Sequence, residues 1–267
     1  MTNELNINFI LGLYEKYLYD LRKVRKYQRK LHSQKGYTWF EKPWFEKYFI
    51  YRALRYILKK FSYTQNVVKM DPQLDDVEAE LTYLLIREFK PETVVEISPC
   101  GGWSTSWLLN AIKDNGFGIL YSYDIVNYST KLVPLDLSKN RWVFTKGDIR
   151  ENTEKLPQKI DYLFMDSDHS DTFAHWYIQN IFSNLKNGTP VSVHDVFHTA
   201  EPTGFDAEGG VIIDWLKQKK IEYFTASPAK EKVVYDKIMS IKNRLNIEEL
   251  IHYSQGTNPM IFFIFKK

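Results

Sequence analysis

Apolar positions recur along this chain first at helical spacing and then in short runs. Over residues 5–31, Leu5, Phe9, Leu13, Tyr17, Leu21 and Val24 fall about one helical turn apart with Lys and Arg between them, until Gly36 breaks the pattern. A second helix is predicted over Trp44–Phe61, with Phe45, Phe49, Ala53, Tyr56 and Ile57 on its apolar side. A third follows Asp71-Pro72 and runs from about Leu74 to Phe89, where Lys90-Pro91 stops it. From there short apolar runs predict strands at 93–98, 119–125, 141–146, 160–166, 189–195, 221–227 and 260–266. Helices at 103–115, 171–186 and 209–220, with shorter ones near 130–138 and 150–156, alternate with them, and 229–253 reads as helix before the final strand. Such alternation predicts an α/β, Rossmann-like fold with a parallel, doubly wound sheet behind an N-terminal helical extension.

Charge sharpens the division. Residues 1–69 hold 15 Lys and Arg against 5 Asp and Glu, a local charge of +10, so the other 198 residues carry −7. We therefore divide the chain into a basic, aromatic-rich helical extension over 1–70 and an α/β domain over 71–267. The basic helices could hold nucleic acid or an acidic membrane surface. The commoner arrangement is a solvated face on helices that cap the domain or pair subunits in a homo-oligomer, and no RNA-recognition motif accompanies them. The single cysteine, Cys100, excludes an intramolecular disulfide and fits a reducing compartment. Met1–Asn8 is polar, so no secretory leader is expected, and Met260–Phe265 falls far short of the ~20 residues that span a bilayer. A soluble, cytoplasmic protein is the expectation.

Polar residues stand at strand ends where packing alone does not need them. Glu96 lies in Thr93–Ile97 before the small-residue turn Ser98-Pro99-Cys100-Gly101-Gly102, and a helix starts at Trp103. In open α/β sheets ligands bind at this crest. The turn is not the dinucleotide G-x-G-x-x-G, since Ser98 and Cys100 occupy its first two glycine positions. Asp124 closes the next strand, where a carboxylate can accept from ribose hydroxyls. Gly147-Asp148 follows the third. The fourth ends Asp166-Ser167-Asp168-His169, and the fifth ends His194-Asp195. Adjacent strands lie about 4.8 Å apart, so these last two ends can converge on one ion. Oxygen donors with an imidazole suit Mg2+ or Mn2+. Cys100 reads as a packing residue, because no His flanks it.

The turn Glu96-Ile97-Ser98-Pro99-Cys100-Gly101-Gly102-Trp103-Ser104-Thr105 resembles the E-I-G-P-x-x-G-x-S-T form of motif I in class I S-adenosylmethionine-dependent methyltransferases. That form belongs to the branch with metal-dependent macrolide-sugar O-methyltransferases and cephalosporin-hydroxylase-like proteins. Glu96, Pro99, Gly102, Ser104 and Thr105 keep the pattern, and D-x-x-H at Asp166–His169 with His194-Asp195 extends it. The resemblance covers residues 72–220 well, the last two strands loosely, and 1–70 not at all. It implies a seven-stranded sheet whose last strand is antiparallel. It also implies S-adenosylmethionine on Glu96, Ser98, Gly102, Trp103, Ser104, Asp124, Asp148 and Asp166, with Asp148 accepting from the adenine amino group. Asp166, His194 and Asp195 match metal ligands and His169 a general base, although a carboxylate is commoner where His194 stands. The acceptor implied is a hydroxyl of a sugar, glycan or other small molecule. RNA methylation through the basic helices and a non-catalytic binding module are the alternatives. No N-P-P-Y type motif of amino-group methyltransferases is present, which favours an oxygen acceptor.

Overall fold

The structure, a computed structural model, describes residues 5–33, 37–38, 67–68, 70, 72–202, 208–251 and 256–267. The helix predicted over Trp44–Phe61 lies outside these residues.

The first predicted helix divides at Tyr17 into α1 (Ile7–Lys16) and α2 (Leu18–Ser33). Asn6 caps α1 by accepting from Phe9 N at 3.0 Å. The Tyr17 hydroxyl donates to the Arg87 carbonyl at 3.1 Å and to Glu88 at 2.9 Å, fixing the joint on α3 (Asp76–Phe89). Lys90, left-handed with φ 49°, ends α3 before Pro91. Tyr37–Thr38 and Val67–Val68 form a short antiparallel pair outside the main sheet.

The strands are β1 (Thr93–Ile97), β2 (Ile119–Asp124), β3 (Trp142–Lys146), β4 (Tyr162–Met165), β5 (Pro190–Val193), β6 (Tyr223–Thr225) and β7 (Ile261–Ile264). They form one seven-stranded sheet in the order β3-β2-β1-β4-β5-β7-β6. β1 to β5 pair in parallel, and β7 is antiparallel to both β5 and β6, as the motif resemblance implied. Helices α4 (Trp103–Asn115), α5 (Asp171–Asn180), α6 (Glu208–Lys219) and α7 (Pro228–Arg244) cover its faces. The helix predicted over 171–186 stops at Asn180, and a 3-10 turn at Phe182–Asn184 follows. The short helix expected near 150–156 is two 3-10 turns.

Alternation along the strands divides the core. Val94 and Phe164 face one apolar layer, with Trp103 and Trp107 of α4, Leu81 of α3 and Leu21 of α2. Val95, Ile97, Leu163 and Met165 face the other, with Phe173 of α5 and Ile213 of α6. The N-terminal helices therefore share a core with the sheet. They are also tied by charge: buried Arg25 of α2 pairs with Glu80 and lies 3.6 Å from Asp76, while Lys242 of α7 reaches Glu80 at 2.8 Å. All four side chains are 3% exposed or less.

Candidate active site

The turn after β1 carries its backbone through left-handed space at three residues: Ser98 (φ 65°), Cys100 (φ 45°) and Gly102 (φ 86°). Gly102 is required by space as well as by φ, because a Cβ there would stand 2.6 Å from Val133 Cγ2. The other two are strained for L residues and are held by partners. Ser98 N donates to the Tyr123 carbonyl and Cys100 N to Asp124 Oδ2, each at 2.8 Å.

Glu96 sits below this turn, fully buried. Its carboxyl accepts from Ser104 Oγ at 2.7 Å, Thr105 Oγ1 at 2.9 Å and Ser122 Oγ at 2.6 Å. Burial pushes it up to about 7 against those hydrogen bonds. Glu96 and Ser104 thus bind strand to helix, with no Glu96 surface at the crest. Trp103 is 1% exposed and packs edge-on against Trp107 and His32. Of the residues expected to meet the cofactor along this turn, Ser98 and Gly102 offer backbone near the crest, whereas Glu96, Trp103 and Ser104 point into the core.

Asp124 accepts from Cys100 N and, through Oδ1, from Val126 N at 3.0 Å. Burial raises its pKa despite those N–H groups. Each carboxylate oxygen has a second lone pair, so ribose hydroxyls could still donate to it. Asp148 is gripped by Arg150, whose Nη2 lies 2.6 Å from Oδ2, and that pairing lowers its pKa. Burial and Asp124 push the Cys100 thiol up, which fits the packing role read from sequence.

The pairing of Met165 with Val193 brings the ends of β4 and β5 together, so Asp166, His194 and Asp195 leave the sheet side by side. His194 N donates to the Met165 carbonyl at 2.9 Å. His194 is 5% exposed; its Nδ1 lies 3.2 Å from Asp166 and 3.1 Å from Asp195, and its Nε2 lies 3.4 Å from Glu78. His169 reaches in from the loop before α5, its Nε2 3.2 Å from Asp195 and 3.9 Å from Asp166. Its Nδ1 meets Glu208 at 2.9 Å. The following helix is capped by Ser170, whose Oγ accepts from Phe173 N, rather than by Asp168.

This field is strongly negative. Burial would push the His169 imidazole down, but the Glu208 hydrogen bond and the charges of Asp166, Glu208 and Asp195 outweigh it and raise it to about 9. The same balance lifts His194 well above its ordinary range, with Asp166 the largest charge. Against the cost of burial, His194, His198 and His169 hold Asp195 well below the usual carboxylate range. Among the described residues, Asp166, His169 and Asp195 are grouped so that one ligand atom from each lies within 4.8 Å of the others. Two carboxylates with an imidazole, all partly exposed, are a donor set that fits a hard divalent cation. The sequence pointed to His194 as the third member; in the structure both imidazoles border the carboxylates, His169 from the open side and His194 from beneath.

Residues 95–196, from β1 to just past β5, match a family model described as a methyltransferase domain. The match spans the turn, Asp124, Asp148 and the carboxylate–imidazole crest, and the sheet has the seven strands and antiparallel last strand that the motif resemblance implied. Over that stretch the chain is similar to a methyltransferase domain. Solved structures resemble the chain beyond that stretch. Cofactor-bound Rv0187 from MTB is 15% identical with TM-score 0.51, over 72% of this chain and 82% of that one. An SAH-bound methyltransferase from Podospora anserina is 11% identical with TM-score 0.50, over 92% and 95%. An O-methyltransferase from Bacillus cereus in complex with SAH is 11% identical with TM-score 0.50, over 85% and 92%. At these identities the likeness is one of fold. No curated protein sequence matches the chain.

Three residues at the crest carried no signal in the sequence. Glu208 and Glu78 lie on helices whose other buried positions are mostly apolar, and His198 follows β5, its Nε2 2.9 Å from Asp195 Oδ1. Among the described residues no helix is long and apolar enough to cross a membrane.

Proposed function

We propose that the domain transfers a methyl group from S-adenosylmethionine to a hydroxyl of a sugar, a glycan or a similar small molecule. The observation that carries this reading is the convergence of Asp166, His169 and Asp195 at the β4–β5 crest. A sugar hydroxyl attacks the sulfonium methyl only as its proton leaves, so an O-methyltransferase needs a base beside the acceptor. His169 Nε2, on the open side of the two carboxylates, would take that proton. Asp166 and Asp195, with His194 beneath, would hold Mg2+ or Mn2+. When bound, the ion would acidify the hydroxyl and offset the carboxylate charges that keep His169 protonated. The backbone of Ser98–Gly102 with Asp124 and Asp148 would seat the nucleoside. The similar Bacillus cereus structure is described as an O-methyltransferase, which agrees with an oxygen acceptor.

The test is calorimetry with S-adenosylmethionine, then a turnover screen over sugars and phenols with and without a chelator. Absence of cofactor binding would end the reading, and turnover indifferent to chelation would remove the metal. A variant of it makes His169 a ligand, since it completes the group within 4.8 Å; His169→Ala would then lose the ion along with turnover. RNA as the acceptor has one observation in its favour. Lys23, Lys26 and Lys30 of α2 and Lys113 of α4 border a pocket of about 310 Å3. Steep salt dependence of tight, structure-selective RNA binding would support it.

A further inference from the structure

Glu208 opens α6, across the crest from the loop that carries His169, and it grips that loop twice. Its backbone N donates to the His169 carbonyl at 3.1 Å, and its Oε2 lies 2.9 Å from His169 Nδ1. The carboxylate is 3% exposed while the imidazole is about one-fifth exposed. Nothing in the Asp166–Asp195 chemistry requires an acid at this place, and a buried carboxylate is costly unless it is paired. The pairing leaves one ring nitrogen spoken for and directs the other, Nε2, toward Asp195 and Asp166.

We propose that Glu208 is a positioning residue for the methyl transfer: it holds the proton on His169 Nδ1 and fixes the ring so that Nε2 faces the acceptor hydroxyl. The proposal rests on the reading of His169 as the base. An imidazole with a free Nδ1 can rotate or carry its proton on either nitrogen, and only the form bare at Nε2 accepts a proton there. With Glu208 accepting from Nδ1–H, an imidazole that gives up one proton gives up the one on Nε2 and is bare there. In the reaction the acceptor O–H proton passes to Nε2, the freed oxygen pair forms the O–CH3 bond, and the C–S bond breaks with its electrons going to sulfur. S-adenosylhomocysteine leaves as a neutral thioether. The imidazolium then has both nitrogens protonated, and Glu208 balances its charge until the proton leaves to solvent through the exposed edge.

Glu208→Ala and Glu208→Gln test this in the full chain, alongside His169→Ala, in whichever acceptor assay the turnover screen identifies. Glu208→Ala should lower kcat about 10–100-fold, the usual effect of losing a residue that orients a functional imidazole. KM and the affinity for S-adenosylmethionine should stay within about twofold, because Glu208 is buried and meets the Nδ1 side of His169. Glu208→Gln keeps an oxygen for Nδ1–H and should recover most of that loss. If the alanine variant does not fold, Glu208→Leu fills the same volume without an acceptor and takes its place. A wild-type kcat in the alanine or leucine variant, with His169→Ala inactive, would overturn the role of Glu208 alone. Equal losses in the glutamine and alanine variants would also overturn it, since rescue by an acceptor is its signature. Full turnover in His169→Ala would instead overturn the base itself.

Discussion

Replacing Glu96 by glutamine exchanges a carboxyl for a carboxamide of the same shape in a site closed to solvent. In the native chain the carboxyl meets three hydroxyls, and burial raises its pKa from 4.5 to about 7. That gap corresponds to about 3 kcal/mol between folded and open chains. Its sign follows from which state holds the proton more tightly, and here it is the folded one. The contribution is complete below pH 4.5 and is lost as pH rises through about 7. Glutamine does not titrate, and the three hydroxyls can each turn from donor to acceptor to suit its amide. Urea unfolding of both proteins from pH 5 to pH 8 isolates the effect, because every other titrating group cancels in the difference. Glu96→Gln should gain about 2–3 kcal/mol relative to the native chain across that range. A difference flat to within about 0.5 kcal/mol would show that Glu96 ionises in the folded protein as it does in the open chain, and the argument from burial would fail. The same variant should bind S-adenosylmethionine normally, since Glu96 shows no surface at the crest.

Asp166→Asn should lose bound metal and turnover together, measured by Mn2+ titration and methyl transfer, because an amide is a poorer ligand for a hard cation. His169→Ala should keep the ion and the cofactor while turnover falls by about 10²–10⁴. Asp124→Ala should weaken S-adenosylmethionine binding by roughly 1–3 kcal/mol in calorimetry, through lost ribose contacts and a freed Cys100 N–H. Arg25→Met takes the guanidinium from Asp76 and leaves Glu80 to Lys242 and the Tyr14 hydroxyl, and should cost up to about 3 kcal/mol in urea unfolding. A loss below about 1 kcal/mol would mean that α2 is docked by its apolar face alone.

The strands were legible because buried parallel strands are short, nearly continuous apolar runs, and Thr93–Ile97, Tyr162–Met165 and Ile261–Ile264 are such runs. The crest was legible for the same reason in reverse: Asp124, Asp166 and Asp195 stand where an apolar run would otherwise continue. Where side chains point was not. Glu96 and Ser104 look like site residues in a motif, yet the left-handed turn above them directs both into the core, and only coordinates show it. Glu208 was illegible because its partner is 39 residues away, and the Glu208–His169 contact exists only once α6 packs beside α5. The division of the first helix at Tyr17 escaped a periodicity that runs through the break, since Leu13, Tyr17 and Leu21 stay on one buried side.

The insertion of β7 between β5 and β6 has a consequence for how the protein is made. As the chain emerges in order, β5 has no neighbour on its outer side and β6 has none at all until residues 261–264 arrive. The segment before β7 also holds the loop that leaves the crest, because Val196 N and Phe197 N both donate to the Pro259 carbonyl. Asp195 therefore belongs, until late in synthesis, to an open sheet edge of the kind that invites pairing with another chain. A nascent chain halted before residue 259 should display the β4–β5 crest half-built and sticky. Shortening or weakening β7 should thus appear first as aggregation and only afterwards as lost turnover.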